Sequence, residues 1–222
     1  MHANDPSSPN TRPAGRIVID LFTTLDGVAQ APGGPDEDPS GGFRFGGWQA
    51  PIEDDMVGTE VLGYVDRMDA LLLGQRTYDI FASYWPVHAD NPVGRTFNAV
   101  PKYLASRNPE VSAPWNETTR VGDDLAAELA DLRARHREIH VVGSIDFVQA
   151  LIAERLFDEL CLWVYPIVLG EGRTVFPSGS VPTNLHLIEP PKSGSAGAVQ
   201  LRYALAPGSP ETGVMEDPAD PA

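Results

Sequence analysis

The sequence predicts an α/β protein whose mostly parallel mixed sheet ends in antiparallel edge strands. Three observations carry this. A continuous apolar run, Ile17-Val18-Ile19 with Leu21-Phe22, fits a central strand buried on both faces. Two further short apolar strands, residues 69–73 and 139–142, each pass through a glycine into an amphipathic stretch, at Gly74-Gln75-Arg76-Thr77-Tyr78 and at Gly143-Ser144. After Asp158 the pattern changes to strands joined by Gly and Pro turns without intervening helices.

In chain order, the central strand covers residues 16–24. Residues 31–47 are dominated by Gly, Pro and Asp without apolar period, a long loop of the kind that serves as an active-site lid. Acidic Glu53-Asp54-Asp55 open a helix over residues 53–66, with Val57, Val61 and Val65 at four-residue spacing. The helix after Gly74 carries Tyr78, Phe81 and Ala82 and stops before Pro86. A strand over residues 102–106 leads into a Pro-rich loop. Asp123 or Asp124 then caps a helix striped by Leu125, Leu129 and Leu132. The helix after Gly143-Ser144 carries Phe147, Val148, Leu151 and Ile152, and the last strands span residues 160–168, 185–188 and 199–205.

With 222 residues at 42% hydrophobic content, the chain supports one good-sized core, placed at residues 15–206. Residues 1–14 and 207–222 are rich in Pro, Ser, Asp and Glu and read as disordered tails. No stretch reaches the roughly 20 apolar residues of a membrane helix, and the polar start lacks a signal pattern, so the expectation is a soluble cytoplasmic protein. The net charge of -15 repels nucleic acid phosphates and anionic membranes. Cys161, in an apolar run, reads as core. Five scattered histidines without metal-ligand spacing predict no metal. Two strand-to-helix turns at one sheet edge aim backbone N–H groups at phosphates, which points to a nucleotide-binding enzyme.

Four segments occur in a telling order: Thr24-Leu25-Asp26-Gly27, Gly74-Gln75-Arg76-Thr77, Gly143-Ser144, and Asp158-Glu159-Leu160 running into Pro166-Ile167-Val168-Leu169-Gly170-Glu171-Gly172. In that order and spacing the chain resembles the dihydrofolate-reductase-like family, in the branch of the riboflavin-biosynthesis reductase domain, over about residues 16–206. The resemblance implies a three-layer α/β/α fold with NADPH across the carboxyl ends of the strands. It implies hydride transfer to a small pyrimidine, pterin-like or ribosylamino substrate, and a homodimer. The H-x-E…P-C-x-x-C zinc pattern of a deaminase is absent, so a standalone reductase is expected. Dihydrofolate reduction and a non-catalytic nucleotide-binding protein are the alternatives.

For the cofactor, Ser106 and Arg107 match where the family grips the 2′-phosphate. Gly74 permits close backbone approach while Thr77 and Arg76 meet the diphosphate, and Gly143, Ser144 and Ile145 offer backbone amides, leaving Asp146 structural. The folate enzymes carry Arg where Gln75 stands, so NADPH against NADH stays open. A solvated helix-start arginine is the other reading of Arg76. On the substrate side, Asp26 is placed against the nicotinamide pocket, with an ordinary Asp-Gly turn as the alternative. Trp48-Gln49-Ala50-Pro51-Ile52-Glu53 resembles the W-x-x-P-x-D/E segment of the folate enzymes. That puts Trp48 at the substrate and makes Glu53 a partly buried proton donor, or else an acidic first turn. Arg173 holds an anionic substrate group or is a surface arginine.

Overall fold

The computed structural model describes residues 15–214. The tail expected over residues 1–14 lies outside them, as do residues 215–222 of the second; residues 207–214 are exposed and form neither helix nor strand. The elements are β1 (Arg16–Thr24), α1 (Asp55–Arg67), β2 (Ala70–Gly74), α2 (Gln75–Tyr84), α3 (Pro92–Ala99), β3 (Lys102–Ala105), β4 (Thr118–Val121), α4 (Leu125–Arg135), β5 (Glu138–Val141), α5 (Ile145–Ala153), β6 (Glu159–Tyr165), β7 (Leu185–Leu187), β8 (Lys192–Ser193) and β9 (Val199–Leu205). They build a single sheet in the order β4-β3-β2-β5-β1-β6-β9-β7, with β8 on β9. Pairing is parallel from β4 through β6 and antiparallel at β9 and beyond. Among the described residues no helix is long and apolar enough to cross a membrane.

β1 is central because both its faces are apolar. Ile17, Ile19 and Leu21 pack with Leu129 and Leu132 of α4 and with Val148 and Leu151 of α5. Val18 and Phe22 face the opposite layer, with Tyr64 of α1 and Cys161 and Trp163 of β6. Farther along that face Leu71, Leu73, Tyr78, Phe97 and Trp115 join α1, α2 and α3 to the sheet. Helices on both faces of one sheet make the three-layer α/β/α architecture. Cys161 is 1% exposed, a core residue.

Several boundaries differ from expectation for local reasons. The first helix starts at Asp55, because the Asp54 carboxylate accepts from the N–H groups of Met56 and Val57 and so is the cap. Pro86 does not end the helical path. After Tyr84 the chain tightens into a 3-10 helix, Trp85–His88, where a proline near the start needs no N–H donor. β4 falls inside the stretch expected to be loop, and α3 in a stretch to which the sequence assigns no element.

Candidate active site

β2 and β5 are parallel neighbours ending at the same sheet edge, and α2 and α5 leave them on opposite faces. The two helix openings touch: the Gly74 N–H donates to the Gly143 carbonyl at 3.1 Å. A Cβ on Gly74 would run into the Ser144 hydroxyl, and one on Gly143, whose φ is 138°, into the Thr77 hydroxyl. Both glycines are therefore required by turn-on-turn packing, a need separate from the close ligand approach expected at Gly74. Side chains of Asp54, Asn91 and Asp124 cap α1, α3 and α4, but neither Gly74 nor Ser144 supplies a side-chain cap to α2 or α5. The orphan N–H groups of these two helices are free to meet an anion.

Arg76, Thr77, Gly143, Ser144 and Ile145 line a cleft of about 660 Å³. Its floor is Asp20 and Phe22 of β1 with Trp163 of β6, while Val61, Tyr64 and Val65 of α1 form an apolar side. The residue 31–38 segment of the long loop makes the remaining wall. That loop is pinned rather than loose: the Gln30 amide donates to the carbonyls of Asp38 and Ser40 at 3.0 Å, and its oxygen accepts from the Arg173 N–H.

The Asp38 carboxylate sits between Arg76, at 2.9 and 3.0 Å, and the Arg173 guanidinium. Arg76 also donates to the Ser40 hydroxyl at 2.7 Å. Burial opposes the Asp38 charge, but Ser40, Arg76 and Arg173 hold the carboxyl below its usual range. Next to it Glu37 goes the other way. Burial pushes its pKa up against the bonds it accepts from the Gly33 and Gly34 N–H groups, and the neighbouring Asp38 adds to the rise.

Arg76 and Arg173 thus share one carboxylate at the cleft, and Asp146, expected to be structural, pairs with Arg173 at 3.2 Å. Ser106 and Arg107 follow β3 at the same sheet edge, where Ala105 pairs with Gly74. The Ser106 hydroxyl accepts from the Asn108 N–H, and Arg107 is exposed with no ion pair among the described residues.

Three expected substrate contacts lie elsewhere. Asp26 is exposed and off the cleft lining. Its carboxylate accepts from the Thr24 hydroxyl at 2.6 Å and from the N–H groups of Leu169 and Gly170, stapling the Asp-Gly turn to the Pro166–Gly172 loop. Desolvation works against its charge, yet these donors keep the carboxyl below its ordinary pKa. Trp48 is 5% exposed, donates to the Gln30 carbonyl at 2.9 Å and packs edge-on against Tyr165, a core role. Glu53 is exposed and borders a separate depression beside α1, so the burial its acid role required is absent.

Residues not singled out from the sequence complete the site: Asp20, Gln30, Asp38 and, behind Asp20, the fully buried His140. A legible signal existed for two of them, since an acid within Ile17–Phe22 and a histidine within β5 interrupt apolar strands.

The fold and cleft define a three-layer α/β protein with paired helix openings at the carboxyl edge of its sheet. The chain belongs to the RibD C-terminal domain family, which it matches over residues 16–196. Among curated relatives it is 25% identical over 198 residues to the uncharacterized protein YyaP of Bacillus subtilis, covering 85% of this chain and 94% of that one. A putative riboflavin biosynthesis protein from Shewanella superposes with a TM-score of 0.66 at 22% identity, over 86% of this chain and 99% of that one. Dihydrofolate reductase from Enterococcus faecalis, solved with NADP(H), shares the fold with a TM-score of 0.50 at 14% identity, over 86% and 97% of the two chains.

Proposed function

We propose that this protein is an NADPH-dependent oxidoreductase reducing a small pyrimidine, pterin-like or ribosylamino compound, similar to the reductase step of riboflavin biosynthesis, and that it works as a cytoplasmic homodimer. The observation that carries the reading is the pair of uncapped helix openings in contact at the sheet edge, with Arg76 beside them and an apolar cleft below.

These residues fit a dinucleotide. The amides at the start of α2 and α5, with Arg76, suit a diphosphate. Arg107, a guanidinium without an ion pair among the described residues and beside Ser106, suits the 2′-phosphate. When bound, the reduced nicotinamide supplies the hydride. The chain positions the acceptor: Phe22 and Trp163 shape the apolar part of the floor, and Arg173 suits an anionic substituent such as a ribose phosphate. Dihydrofolate as substrate rested on Glu53, which stands away from the cleft.

Titration of NADPH and NADH by nucleotide fluorescence tests the reading. Wild type is expected to bind NADPH, and Arg107→Ala to weaken NADPH by about tenfold or more, the scale of one charge-assisted contact, with little change for NADH. Equal losses would show that Arg107 does not touch the 2′-phosphate. A wild-type protein that binds neither nucleotide would remove the redox assignment.

A further inference from the structure

We propose that Asp20 donates the proton to the atom reduced in this cleft, and that His140, held behind it by Glu138, replenishes Asp20. The inference rests on the redox reading above and adds the source of the proton.

The three side chains project from one face of two adjacent strands. Parallel pairing sets Val18 of β1 opposite His140 of β5, so Asp20, two residues on, shares that face with Glu138 and His140. His140 is 0% exposed, and each ring nitrogen faces a carboxylate. Nε2 lies 3.0 Å from Glu138 Oε1 and Nδ1 lies 3.6 Å from Asp20 Oδ2. Trp163 Nε1 takes the other Asp20 oxygen, Oδ1, at 2.5 Å. Oδ2 is left facing His140, on a side chain that lines the cleft and keeps 12% of its surface open.

A histidine serving only to fill the core would have both nitrogens satisfied. Here Nδ1 is sealed from water and has no hydrogen-bond partner. It stops a few tenths of an ångström short of a carboxylate that opens on the cleft, the loose geometry that catalytic pairs show before substrate tightens them. Other groups around the ring set its charge. Tyr64 lies edge-on to it from α1, Arg67 of α1 and Arg16 of β1 approach Glu138, Cys161 of β6 pairs across from Asp20, and Arg202 of β9 covers Tyr64. Burial disfavours a charged imidazole, but Asp20 and Glu138 outweigh it and raise the His140 pKa.

Of the other cleft carboxylates, Asp38 is committed to two arginines and Glu37 to the backbone of its own loop, while Asp36 is exposed on the loop and away from His140. Asp20 stands on the rigid sheet with a proton behind it. As hydride adds to the acceptor carbon, the C=N or C=O π pair moves to its nitrogen or oxygen. His140 Nδ1 gives its proton to the Asp20 carboxylate, and Asp20 passes it on to that atom. The products are the reduced substrate, oxidised nicotinamide and neutral His140, which cleft water reprotonates through Asp20.

The test compares wild type, Asp20→Asn and Asp20→Glu. Nitrogen-15 NMR of the free protein should show His140 protonated at both nitrogens at neutral pH, and neutral in Asp20→Asn. With NADPH and a phosphorylated ribosylaminopyrimidine, kcat should fall about 100-fold or more in Asp20→Asn and recover in part in Asp20→Glu, while NADPH affinity stays within about twofold. A wild-type His140 that is neutral, or an Asp20→Asn rate equal to wild type, overturns the proton path and leaves the redox reading standing. A wild type that fails to bind NADPH overturns both.

Discussion

Asp26 and Asp38 are both loop carboxylates held by nearby donors, and their surroundings give them different work. Asp26 ties the turn after β1 to the loop after β6, which is why the Leu-Asp-Gly and Pro-x-Val-Leu-Gly segments occur together: one supplies the carboxylate and the other the two amides it accepts from. Motif spacing revealed the pair but could not tell a clamp from a reagent, because both uses call for an acid before a flexible glycine. Removing the clamp exposes Leu169 and Gly170 N–H groups that water can reach, so the cost is modest. Asp26→Ala is expected to lose about 1 kcal/mol in denaturant unfolding with NADPH affinity unchanged. A large loss of affinity without loss of stability would return Asp26 to the site. Asp20 shows the opposite limit. It stood in plain view inside an apolar strand, yet its partners, His140 and Trp163, come from strands more than a hundred residues away, and only the sheet register joins them.

The elements that the sequence made legible are those whose burial imposes a period. β1, β2, β5 and the stripes of α4 and α5 follow from apolar spacing alone. β4, with only Val121 of its four residues buried, has no such pattern, and α3 spans just eight residues with Gly94 inside it. For α3 the signal lay in its start, where Asn91 caps the helix and Pro92 opens it. The 31–47 loop has no period at all, yet Gln30, Arg76 and Arg173 pin it, placing Asp38 where two cations converge. A ligand phosphate using those arginines must displace that carboxylate. Asp38→Asn should therefore tighten NADPH or a phosphorylated substrate by about fivefold, roughly 1 kcal/mol, and lower the melting temperature of the unliganded protein. Fluorescence titration and thermal melts check both. Weaker binding in the variant would mean that Asp38 orders the arginines for the ligand rather than competing with it.

At the scale of the whole molecule, a chain with a net charge of -15 gathers its few cations where they are structurally needed, so pH dependence concentrates in identifiable clusters. The largest joins the N-terminal ends of β1, β5 and β6. Arg16 bridges Glu138 and Glu159, Arg202 adds a second contact to Glu159, and His140 and Arg67 lean on Glu138. Burial alone would raise the Glu138 pKa, but His140 and Arg16 lower it to about 2. A carboxylate whose folded pKa is depressed contributes stability that is present above its unfolded value of 4.5 and lost as pH falls toward 2. His140, raised, contributes in the opposite sense: its share is complete below its unfolded value of 6.5 and disappears as pH climbs through the folded pKa. Urea midpoints measured across pH should therefore form a plateau bounded by these two transitions. Glu138→Gln should flatten the acid slope and lower stability on the plateau by about 2 kcal/mol, less than for a fully buried pair because Arg16 is 40% exposed. His140→Gln should flatten the alkaline slope instead. An acid slope unchanged in Glu138→Gln would move the origin of that transition to the loop carboxylates Asp26 and Asp38, whose pKa values are also lowered and which tie down loops rather than strands.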